Sequence, residues 1–544
     1  MTFQWANPYS TTRIPVFARN IASTSQPLAA QAGLKIMQQG GNAVDAAIAT
    51  AAVLMIVEPV SNGLGSDMFA IIWDGEKLHG LNASGTAPAA WSPEYYEKKY
   101  GIGTNGLANR PMRGWDTVSV PGAIAGWAAL HAKLGKLSFA ELLAPAIQIA
   151  HQGYAVTPIV AHKWAAGIPD LIDQPGFKEM FMPKGRAPHI GERFQAPGIA
   201  KTFEQLCKKG WEDYYQGEIA AAIVKHSCEH GGSMQLNDLK NYQPDWVDLI
   251  STNYRGYDIH EIPPNGQGIG ALIALGICEQ FNLKDYPVDS VLSQHIQIEA
   301  MKLAFADVYE YVADPKTMKI KPSDMLDPSY LKSRAKLIDL KKATHFNFGM
   351  PKTGGTVYLT TADQSGMMVS FIQSNYMGFG SGVVVPEFGV SLQNRGYGFS
   401  LDRRSDNVVA GGKRPFHTII PAFMTKEVDG KTFPQMSFGV MGGDMQPQGH
   451  LQTVIRMLDY QQQPQSACDA PRWKVNRDFT LDVESNLNAD TVAGLKELGH
   501  QLKSIEDPYM DFGSGQFIWR QSADLNDGYV AASDCRRDGL AAGF

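Results

Sequence analysis

The chain has 544 residues, of which 44% are hydrophobic and 19% are charged, and its formal net charge is −6. This composition is typical of a globular protein with a large core and excludes a disordered chain. So mild a charge gives no basis for binding nucleic acid or an anionic membrane surface.

The N-terminal segment and the cysteines favour a cytoplasmic protein. Residues 1–13 lack a basic start followed by an apolar core, so no signal peptide is predicted. The longest apolar stretch, 43–59, carries Asp45 and Glu58, which argues against a membrane span. Five scattered cysteines without a CxxC pair favour reduced thiols and no structural zinc site. With no cluster of His, Asp and Glu ligands in the sequence, no metal and no organic cofactor are expected.

The first 340 residues are predicted to be mainly helical, with short strands between the helices. Apolar spacing predicts a helix over 27–39, and Asn42 is the predicted N-cap of the next helix, which runs to Val57. The same spacing predicts helices over 137–153 and 293–311. A strand is predicted over 254–263.

A glycine-rich turn follows that strand and resembles a dinucleotide-binding loop. It reads Gly-Gln-Gly-Ile-Gly from 266 to 270 and precedes an apolar segment. The spacing does not match GxGxxG, and Pro263 and Pro264 interrupt the entry. A packed glycine turn is the preferred interpretation.

Three short motifs match those of penicillin-recognising serine enzymes. They are Ser-x-x-Lys at 333–336, Lys-Thr-Gly at 352–354 and Ser-Asp-Asn at 405–407. In those enzymes Lys-Thr-Gly comes last, whereas here it precedes Ser-Asp-Asn. Tripeptides recur by chance in a long chain, so this interpretation is the weaker one.

The segment that starts at Gly354 carries the strongest catalytic signal. A basic stretch with later Gly and Pro, 332–355, predicts an exposed connection, where proteolytic cutting concentrates. Thr356 then opens an apolar run to Thr361, and a Gly-containing turn leads to a second run, 367–372, which predicts a hairpin. If the chain is cut before Thr356, that residue carries a free α-amine beside its own hydroxyl nucleophile. The alternative is an ordinary loop-to-strand junction.

A second Gly-Gly pair lies between a predicted strand, 433–440, and a predicted helix, 448–460. Gly442 and Gly443 would leave backbone N–H groups unpaired at this turn, as a cradle for an oxyanion requires. A tight turn that binds nothing is the alternative interpretation.

Taken together, these motifs resemble the γ-glutamyltransferase family of self-cleaving N-terminal-nucleophile hydrolases. The resemblance covers nearly the whole chain. The motifs that carry it are GGNAVDA from 40, SVPGA from 119, YRGY from 254, FAD from 305, FGSG from 379, KRP from 413, GG at 442 and RRDG from 536.

The resemblance implies an α+β fold, a four-layer αββα sandwich built from both fragments of one cut precursor. The scissile bond maps to Gly355–Thr356, giving a large fragment 1–355 and a small fragment 356–544 that associate as one compact unit. Thr356 maps onto the nucleophile and Ser374 onto a hydroxyl that hydrogen-bonds near it. Gly442 and Gly443 map onto the oxyanion hole.

The departures from the family pattern bear on the substrate. Ser84 stands where transferases carry the arginine for the glutamyl carboxylate, and Gly398 stands where they carry the aspartate for its amino group. Arg395 instead brings a cation to the expected pocket, although a structural salt bridge is an equally good interpretation of it. The other candidate substrate-binding residues are Asn394, His417 and Asp444.

The expected activity is therefore hydrolysis of a small amide through an acyl-enzyme, with oxamate as the best single guess. The pattern resembles the short, signal-less branch of the family, which includes oxamate amidohydrolases and acylase-like members. A true γ-glutamyltransferase or glutathione hydrolase is the first alternative, and a non-catalytic binding protein of the same fold is the second. No nucleic-acid or membrane partner is expected, and a higher oligomer stays open.

Overall fold

The computed structural model of the chain describes residues 13–344, 355–507 and 512–544. Its helices are α1 Pro27–Gln38, α2 Ala43–Val57, α3 Pro93–Tyr100, α4 Ala123–Leu134, α5 Phe139–Gln152, α6 Pro158–Leu171, α7 Phe177–Phe181, α8 Pro197–Lys209, α9 Asp213–Gln216, α10 Glu218–Glu229, α11 Leu236–Lys240, α12 Ile269–Cys278, α13 Val291–Tyr311, α14 Pro322–Met325, α15 Pro328–Ala335, α16 Met445–Leu458, α17 Pro464–Asp469 and α18 Ala489–Glu497.

Its strands are β1 Val16–Ala18, β2 Ile21–Thr24, β3 Asp67–Trp73, β4 Leu78–Ala83, β5 Tyr154–Ala155, β6 Arg193–Phe194, β7 Asp245–Val247, β8 Ile250–Tyr254, β9 Tyr257–Glu261, β10 Gly355–Ala362, β11 Met368–Tyr376, β12 Val384–Val385, β13 Val390–Ser391, β14 Ala422–Val428, β15 Lys431–Met441, β16 Trp473–Val475, β17 Leu481–Glu484, β18 Leu502–Ile505, β19 Ser514–Arg520, β20 Tyr529–Ser533 and β21 Leu540–Gly543. Short 3-10 turns cover Trp115–Thr117, Leu283–Asp285, Pro386–Phe388, Arg395–Gly398 and Leu525–Asp527.

Two antiparallel sheets form the centre of the molecule. One has the order β1-β20-β19-β15-β14-β9-β8, and the other has the order β21-β2-β10-β11-β3-β4-β7. Side chains from both sheets, including Phe69, Tyr358, Phe423 and Ile518, pack together in one buried cluster between them. This face-to-face packing makes the two inner layers of the fold.

Helices cover the outer face of each sheet. The helix α2 packs with α4, α5 and α8 in the core beneath β3 and β11. On the other side, α12, α13 and α16 pack against β14 and β15. The predicted four-layer αββα sandwich is confirmed.

Each sheet contains strands from both sides of Thr356. The strand β10 lies between β2 and β11, and β11 pairs in turn with β3. In the other sheet β14 pairs with β9, and β20 pairs with β1. A cut at 355–356 would therefore leave two chains that share both sheets and both inner layers.

Most of the predicted elements are confirmed, with small shifts at their ends. The helix predicted over 293–311 begins at Val291, and the predicted hairpin is the β10–β11 pair. The strand predicted over 254–263 is confirmed as β9, Tyr257–Glu261, but its predicted start is wrong, because Arg255 and Gly256 have positive φ angles of 52° and 81° and form a turn between β8 and β9. The motif Lys-Thr-Gly at 352–354 lies outside the described residues.

Asn42 caps α2 in the predicted way. Its side-chain oxygen accepts a hydrogen bond from the Asp45 N–H at 3.0 Å, and the Asp45 carboxylate accepts one from the Asn42 N–H at 3.1 Å. The same carboxylate accepts the N–H groups of Lys136 and Leu137. This capping box satisfies partly buried amides at the start of α2, whose own residues are all buried. Within the described ranges, no helix is both long enough and apolar enough to cross a membrane.

We expect Asn42→Ala to lower the free energy of unfolding by about 1 kcal/mol, the usual cost of losing an N-cap acceptor. Asn42→Ser is the matched control, because it keeps a side-chain oxygen for the Asp45 N–H. Thermal unfolding should be followed by calorimetry in a Thr356→Ala background, which is expected to keep the chain whole. Equal midpoints for the Ala and Ser variants would contradict the capping role.

Candidate active site

Thr356 lies at the start of β10, at a break in the strand ladder. Gly355 pairs with Tyr376 and Val357 pairs with Gln373, so the register shifts at Thr356. Such a bulge re-aims a side chain out of the regular alternation of a strand. The Thr356 side chain is buried, with 1% of the residue exposed.

The Thr356 hydroxyl contacts two side chains from different elements. Its Oγ1 donates to Ser374 Oγ at 3.2 Å, and Gln446 Nε2 points at it from 3.5 Å. Ser374 Oγ also accepts the Tyr376 N–H at 2.8 Å. The Gln446 amide is held in turn, because its Oε1 accepts the Ile420 N–H at 2.9 Å. The structure thus brings the predicted Thr–Ser pair together and adds Gln446, which the sequence analysis missed.

The Gly442-Gly443 pair connects β15 to α16 with an unusual backbone. Their φ angles are 125° and 60°, values that favour glycine. The two carbonyls accept the first amides of α16, from Met445 at 3.1 Å and Gln446 at 3.2 Å. Neither glycine N–H donates to any residue in the part of the chain that the structure describes. These amides at the N-terminus of a 14-residue helix are suited to stabilise negative charge.

The glycine turn before α12 contacts the Gly442-Gly443 pair through the side chain of Gln267. Gln267 Nε2 donates to the Gly443 carbonyl at 2.9 Å and to the Thr418 carbonyl at 2.7 Å. The Gln267 N–H also donates to the His417 carbonyl at 2.9 Å. The predicted packed turn is therefore confirmed, and it orders the candidate oxyanion site.

Arg395 is a buried cation, and only some of its N–H donors have a hydrogen-bond partner. Its Nη1 donates to Thr418 Oγ1 at 2.7 Å, and its guanidinium carbon lies 4.7 Å from the centre of the Tyr376 ring. The Nε and Nη2 groups have no hydrogen-bond partner among the described residues. Burial lowers the pKa of Arg395 to about 10, although the nearby Asp67 opposes this shift. A buried guanidinium with two free donors is ready to accept an anion.

Asp67 and His417 form a buried, hydrogen-bonded pair close to Arg395. Burial raises the pKa of Asp67 to about 7, while Arg395 acts against that rise. His417 Nε2 lies 3.0 Å from Asp67 Oδ2, and its Nδ1 accepts the Ile419 N–H at 3.3 Å. Burial, with Arg395 and Arg414 adding to it, holds the pKa of His417 well below its usual value. The ring is thus neutral with both nitrogens engaged, and it orients Asp67. A direct substrate contact by His417 stays a prediction.

Ser84 lies in a neighbouring polar network. Its hydroxyl donates to Asn82 Oδ1 at 2.8 Å and accepts from Asn265 Nδ2 at 3.2 Å. The residue is fully buried, and the Gly85 N–H that follows it donates to Asp67 Oδ1 at 3.1 Å. The backbone that follows Ser84 therefore helps to hold Asp67, while the Ser84 hydroxyl itself bonds to Asn82 and Asn265.

Asn394 and Asp444 also have protein partners. Asn394 Oδ1 accepts the Met377 N–H at 3.2 Å, and its Nδ2 donates to the Met112 carbonyl at 3.1 Å. The Asp444 carboxylate accepts two bonds from Arg477, at 2.6 and 2.8 Å. Both side chains shape the surrounding loops, and substrate contact by either one stays a prediction.

Gly398 cannot simply be replaced by the family's aspartate. A Cβ built at this position would lie 2.6 Å from the Phe416 carbonyl oxygen. The local packing thus excludes the aspartate that would clamp an amino group, because Phe416 would have to move to admit any side chain.

Tyr376 is a second residue that the sequence analysis missed. It has a φ of 78°, which is rare for a residue with a side chain, and it follows the Ser374 strand position by two residues. Backbone strain of this kind collects at functional sites. The Tyr376 ring contacts Arg395 on one side and lines an adjacent cavity of about 450 Å³.

Among the residues that the structure describes, one group of side chains could hold a metal ion, and it lies at another place in the fold. Its members are His295, Glu299 and His500, all buried. The Lys302 ammonium already lies between them, 2.8 Å from Glu299 Oε1 and 3.2 Å from His500 Nδ1. It supplies the positive charge that a metal would bring, and the Glu299 carboxylate also accepts the Thr344 N–H.

The family model for gamma-glutamyltranspeptidase matches residues 29–544. The chain belongs to this family. It is 34% identical to the glutathione hydrolase-like YwrD proenzyme of Bacillus subtilis over 525 residues, which are 95% of this chain and 97% of that protein. It is 33% identical to the oxamate amidohydrolase proenzyme of Klebsiella pneumoniae over 541 residues, with 97% and 99% covered.

A solved structure is also similar over the full length. The cephalosporin acylase from Bacillus halodurans superposes with a TM-score of 0.93 and 45% sequence identity, covering 100% of this chain and 99% of that one. The chain is therefore an N-terminal-nucleophile hydrolase of the gamma-glutamyltranspeptidase and acylase type. The names of its relatives cover several amide substrates, so the substrate is a separate question.

We expect Gly443→Ala to reduce turnover, because a Cβ at a φ of 60° strains the turn and displaces the N–H that would stabilise the oxyanion; complete loss of one such donor costs about 100- to 1000-fold. Gly430→Ala is the matched control, because Gly430 also has a positive φ, of 73°, and lies at the opposite end of β15 with open space around it. Steady-state kinetics on correctly folded protein would compare the two. Equal turnover in both variants would place the oxyanion donors elsewhere.

Proposed function

We propose that the chain is a self-cleaving threonine amidohydrolase that acts on an amide bearing a carboxylate. The observation that carries the proposal is the pairing of two features in one buried site. The Thr356 hydroxyl is held by Ser374 and Gln446. The Arg395 guanidinium, which stacks on the ring of Tyr376 two residues after Ser374, has two unused donors. The relatives named as proenzymes support the self-cleavage.

Maturation begins with attack of Thr356 Oγ1 on the Gly355 carbonyl carbon. The C–N bond of the Gly355–Thr356 peptide breaks, and the acyl group passes to the Thr356 oxygen as an ester. Water hydrolyses this ester, leaving a carboxylate on Gly355 and a free α-amine on Thr356. The bond from Thr356 to Ser374 positions the hydroxyl for this attack.

Catalysis then uses the same oxygen. The new α-amine accepts the hydroxyl proton, and the oxygen attacks the substrate amide carbon. The N–H groups of Gly442 and Gly443 stabilise the oxyanion, and the leaving nitrogen takes the proton from the α-ammonium. Water, deprotonated by the amine, hydrolyses the acyl-enzyme and restores the threonine. The α-amine of Thr356 therefore carries the proton in both halves of the reaction, first from the hydroxyl to the leaving nitrogen and then from water back to the threonine oxygen.

The acid in the substrate is the part that Arg395 would recognise. Two coplanar N–H donors match the two oxygens of a carboxylate, and the buried setting strengthens the pair. Oxamate, the smallest amide with an adjacent carboxylate, is the simplest probe, and the name of the Klebsiella relative supports its use. A glutathione-hydrolysing activity is the competing outcome, in line with the name of the Bacillus relative.

We expect Thr356→Ala to remain a single chain without amidase activity, because the variant lacks the attacking oxygen. Thr360→Ala is the matched control on the same strand, since its hydroxyl bonds the Val369 carbonyl and Ser437 and plays no part in the proposed chemistry. Denaturing gels and N-terminal sequencing would follow the cleavage. A wild-type small fragment that starts at any other residue would refute the assignment.

We expect Arg395→Lys to lower kcat/KM for oxamate about 10- to 100-fold, as expected for a lost charged hydrogen bond. Hydrolysis of acetamide, which has no carboxylate, should change much less. Kinetics on both amides and on a γ-glutamyl anilide would be measured side by side. A γ-glutamyl donor that is preferred by a wide margin in the wild type would favour the glutathione hydrolase alternative.

A further inference from the structure

The buried side chain of Gln267 connects two loops of the candidate site. Its Nε2 donates to the Gly443 carbonyl at 2.9 Å, next to the candidate oxyanion donors, and to the Thr418 carbonyl at 2.7 Å. The Thr418 hydroxyl in turn accepts Arg395 Nη1 at 2.7 Å. One amide group therefore contacts both the oxyanion turn and the residue that holds the candidate anion-binding arginine.

The Gln267 amide has only one orientation that satisfies these contacts. A carbonyl oxygen accepts hydrogen bonds and cannot donate them, so Nε2, which carries two hydrogens, must face the two carbonyls. The Oε1 atom has no hydrogen-bond partner in the described part of the chain. A buried acceptor without a donor costs free energy, so an apolar side chain of the same size would serve packing alone better.

The turn that carries Gln267 is itself held in place. The Gln267 N–H donates to the His417 carbonyl, and the His417 N–H donates to the Asn265 carbonyl, both at 2.9 Å. A Cβ added at Gly268 would lie 2.7 Å from Glu261 Oε2, so the backbone packs closely there. The turn therefore cannot shift without breaking a backbone pairing and a close contact.

The Gly442-Gly443 turn depends on contacts of this kind. Glycine is free to adopt many backbone conformations, so two in succession do not fix the direction of their own N–H groups. The Gly443 carbonyl accepts the Gln446 N–H at 3.2 Å as well as the Gln267 side chain. Gln446 Oε1 accepts the Ile420 N–H at 2.9 Å, so the same two loops are connected twice.

Gln267 and its partners lie on opposite sides of the expected cut. Gln267 belongs to the large fragment, 1–355, whereas Gly443, Thr418 and Arg395 belong to the small one. After cleavage, a side chain of the large fragment would thus hold functional groups of the small fragment through hydrogen bonds alone.

We infer that Gln267 is a positioning residue that couples the oxyanion turn to the anion position at Arg395. This inference rests on the proposed amidohydrolase function. Loss of its two donors should displace the Gly443 N–H for every amide, and it should displace Arg395 with a consequence only for amides that carry an acid. A displacement of about 1 Å can lower a rate about 100-fold.

The test is Gln267→Met, which keeps the length of the side chain without its donors. Gln452→Met is the matched control, because Gln452 is also buried and its Nε2 also donates to two carbonyls. These belong to Gln448, at 3.1 Å, and Trp473, at 3.0 Å. Denaturing gels would first establish that both variants are cleaved.

We expect Gln267→Met to lower kcat for acetamide about 10- to 100-fold. Its kcat/KM for oxamate should fall about tenfold further, because the charged hydrogen bond from Arg395 is also misplaced. Gln452→Met should stay within about twofold of wild type on both amides. Equal kinetics in the two variants would overturn the inference.

A second variant covers the case in which Gln267→Met does not fold. Gln267→Glu keeps the shape of the side chain but has at most one donor for two carbonyls, so it should also lower acetamide turnover. Unchanged turnover in cleaved Gln267→Glu would overturn the inference.

A double-mutant cycle distinguishes coupling from a general loss of structure. If Gln267 acts through Arg395, combining Gln267→Met with Arg395→Lys should cost less on oxamate than the product of the two single losses. On acetamide the two losses should multiply. Losses that multiply on both amides would contradict the coupling.

A binding measurement separates this inference from the proposed function. Titration calorimetry with oxalate, which has no amide to hydrolyse, should show weaker binding to Gln267→Met than to wild type and Gln452→Met. If wild type hydrolyses no amide, the proposed function fails, and the calorimetry still decides whether Gln267 orders Arg395. Equal oxalate binding by all three proteins, or no binding by wild type, would overturn the inference.

Discussion

The position of the Thr356 hydroxyl is the constraint on which the rest of the site depends. Its bond to Ser374 holds it at a strand bulge, in the middle of a sheet whose neighbours come from both sides of the expected cut. The strand β10 cannot slide or twist, because β2 and β11 flank it and the second sheet packs over it. A nucleophile that must attack its own preceding peptide needs this rigidity, since misplacement by about 1 Å can cost 100-fold in rate.

The buried charges near this hydroxyl explain how the site can select an acid. Arg395 and Asp67 are close enough to oppose each other's pKa shifts, but they make no direct ion pair in the described structure, and two N–H groups of Arg395 stay unused. His417 is kept neutral and holds Asp67 in place. Burying charged side chains costs free energy, so buried charges of this kind are typical of sites where ligand binding requires them.

Local patterns in the sequence were sufficient for the framework of the fold. Asn42, the β10–β11 hairpin and the strand–Gly-Gly–helix unit each depend on neighbouring residues, and all were predicted. Gln446 and Tyr376 could not be found in this way, because their roles arise from contacts across the sheets and from a positive φ that no local motif signals. The interpretation of Arg395 was equally open, since its unused donors become visible only when every neighbour is placed.

The most direct test of the central role of Thr356 is intact mass spectrometry after a brief reaction with an amide substrate and an acid quench. The proposed mechanism predicts two chains divided between residues 355 and 356, with the mass of the acyl group added to the small chain at Thr356. A single chain near 59.4 kDa, or an acyl group on any other residue, would contradict it.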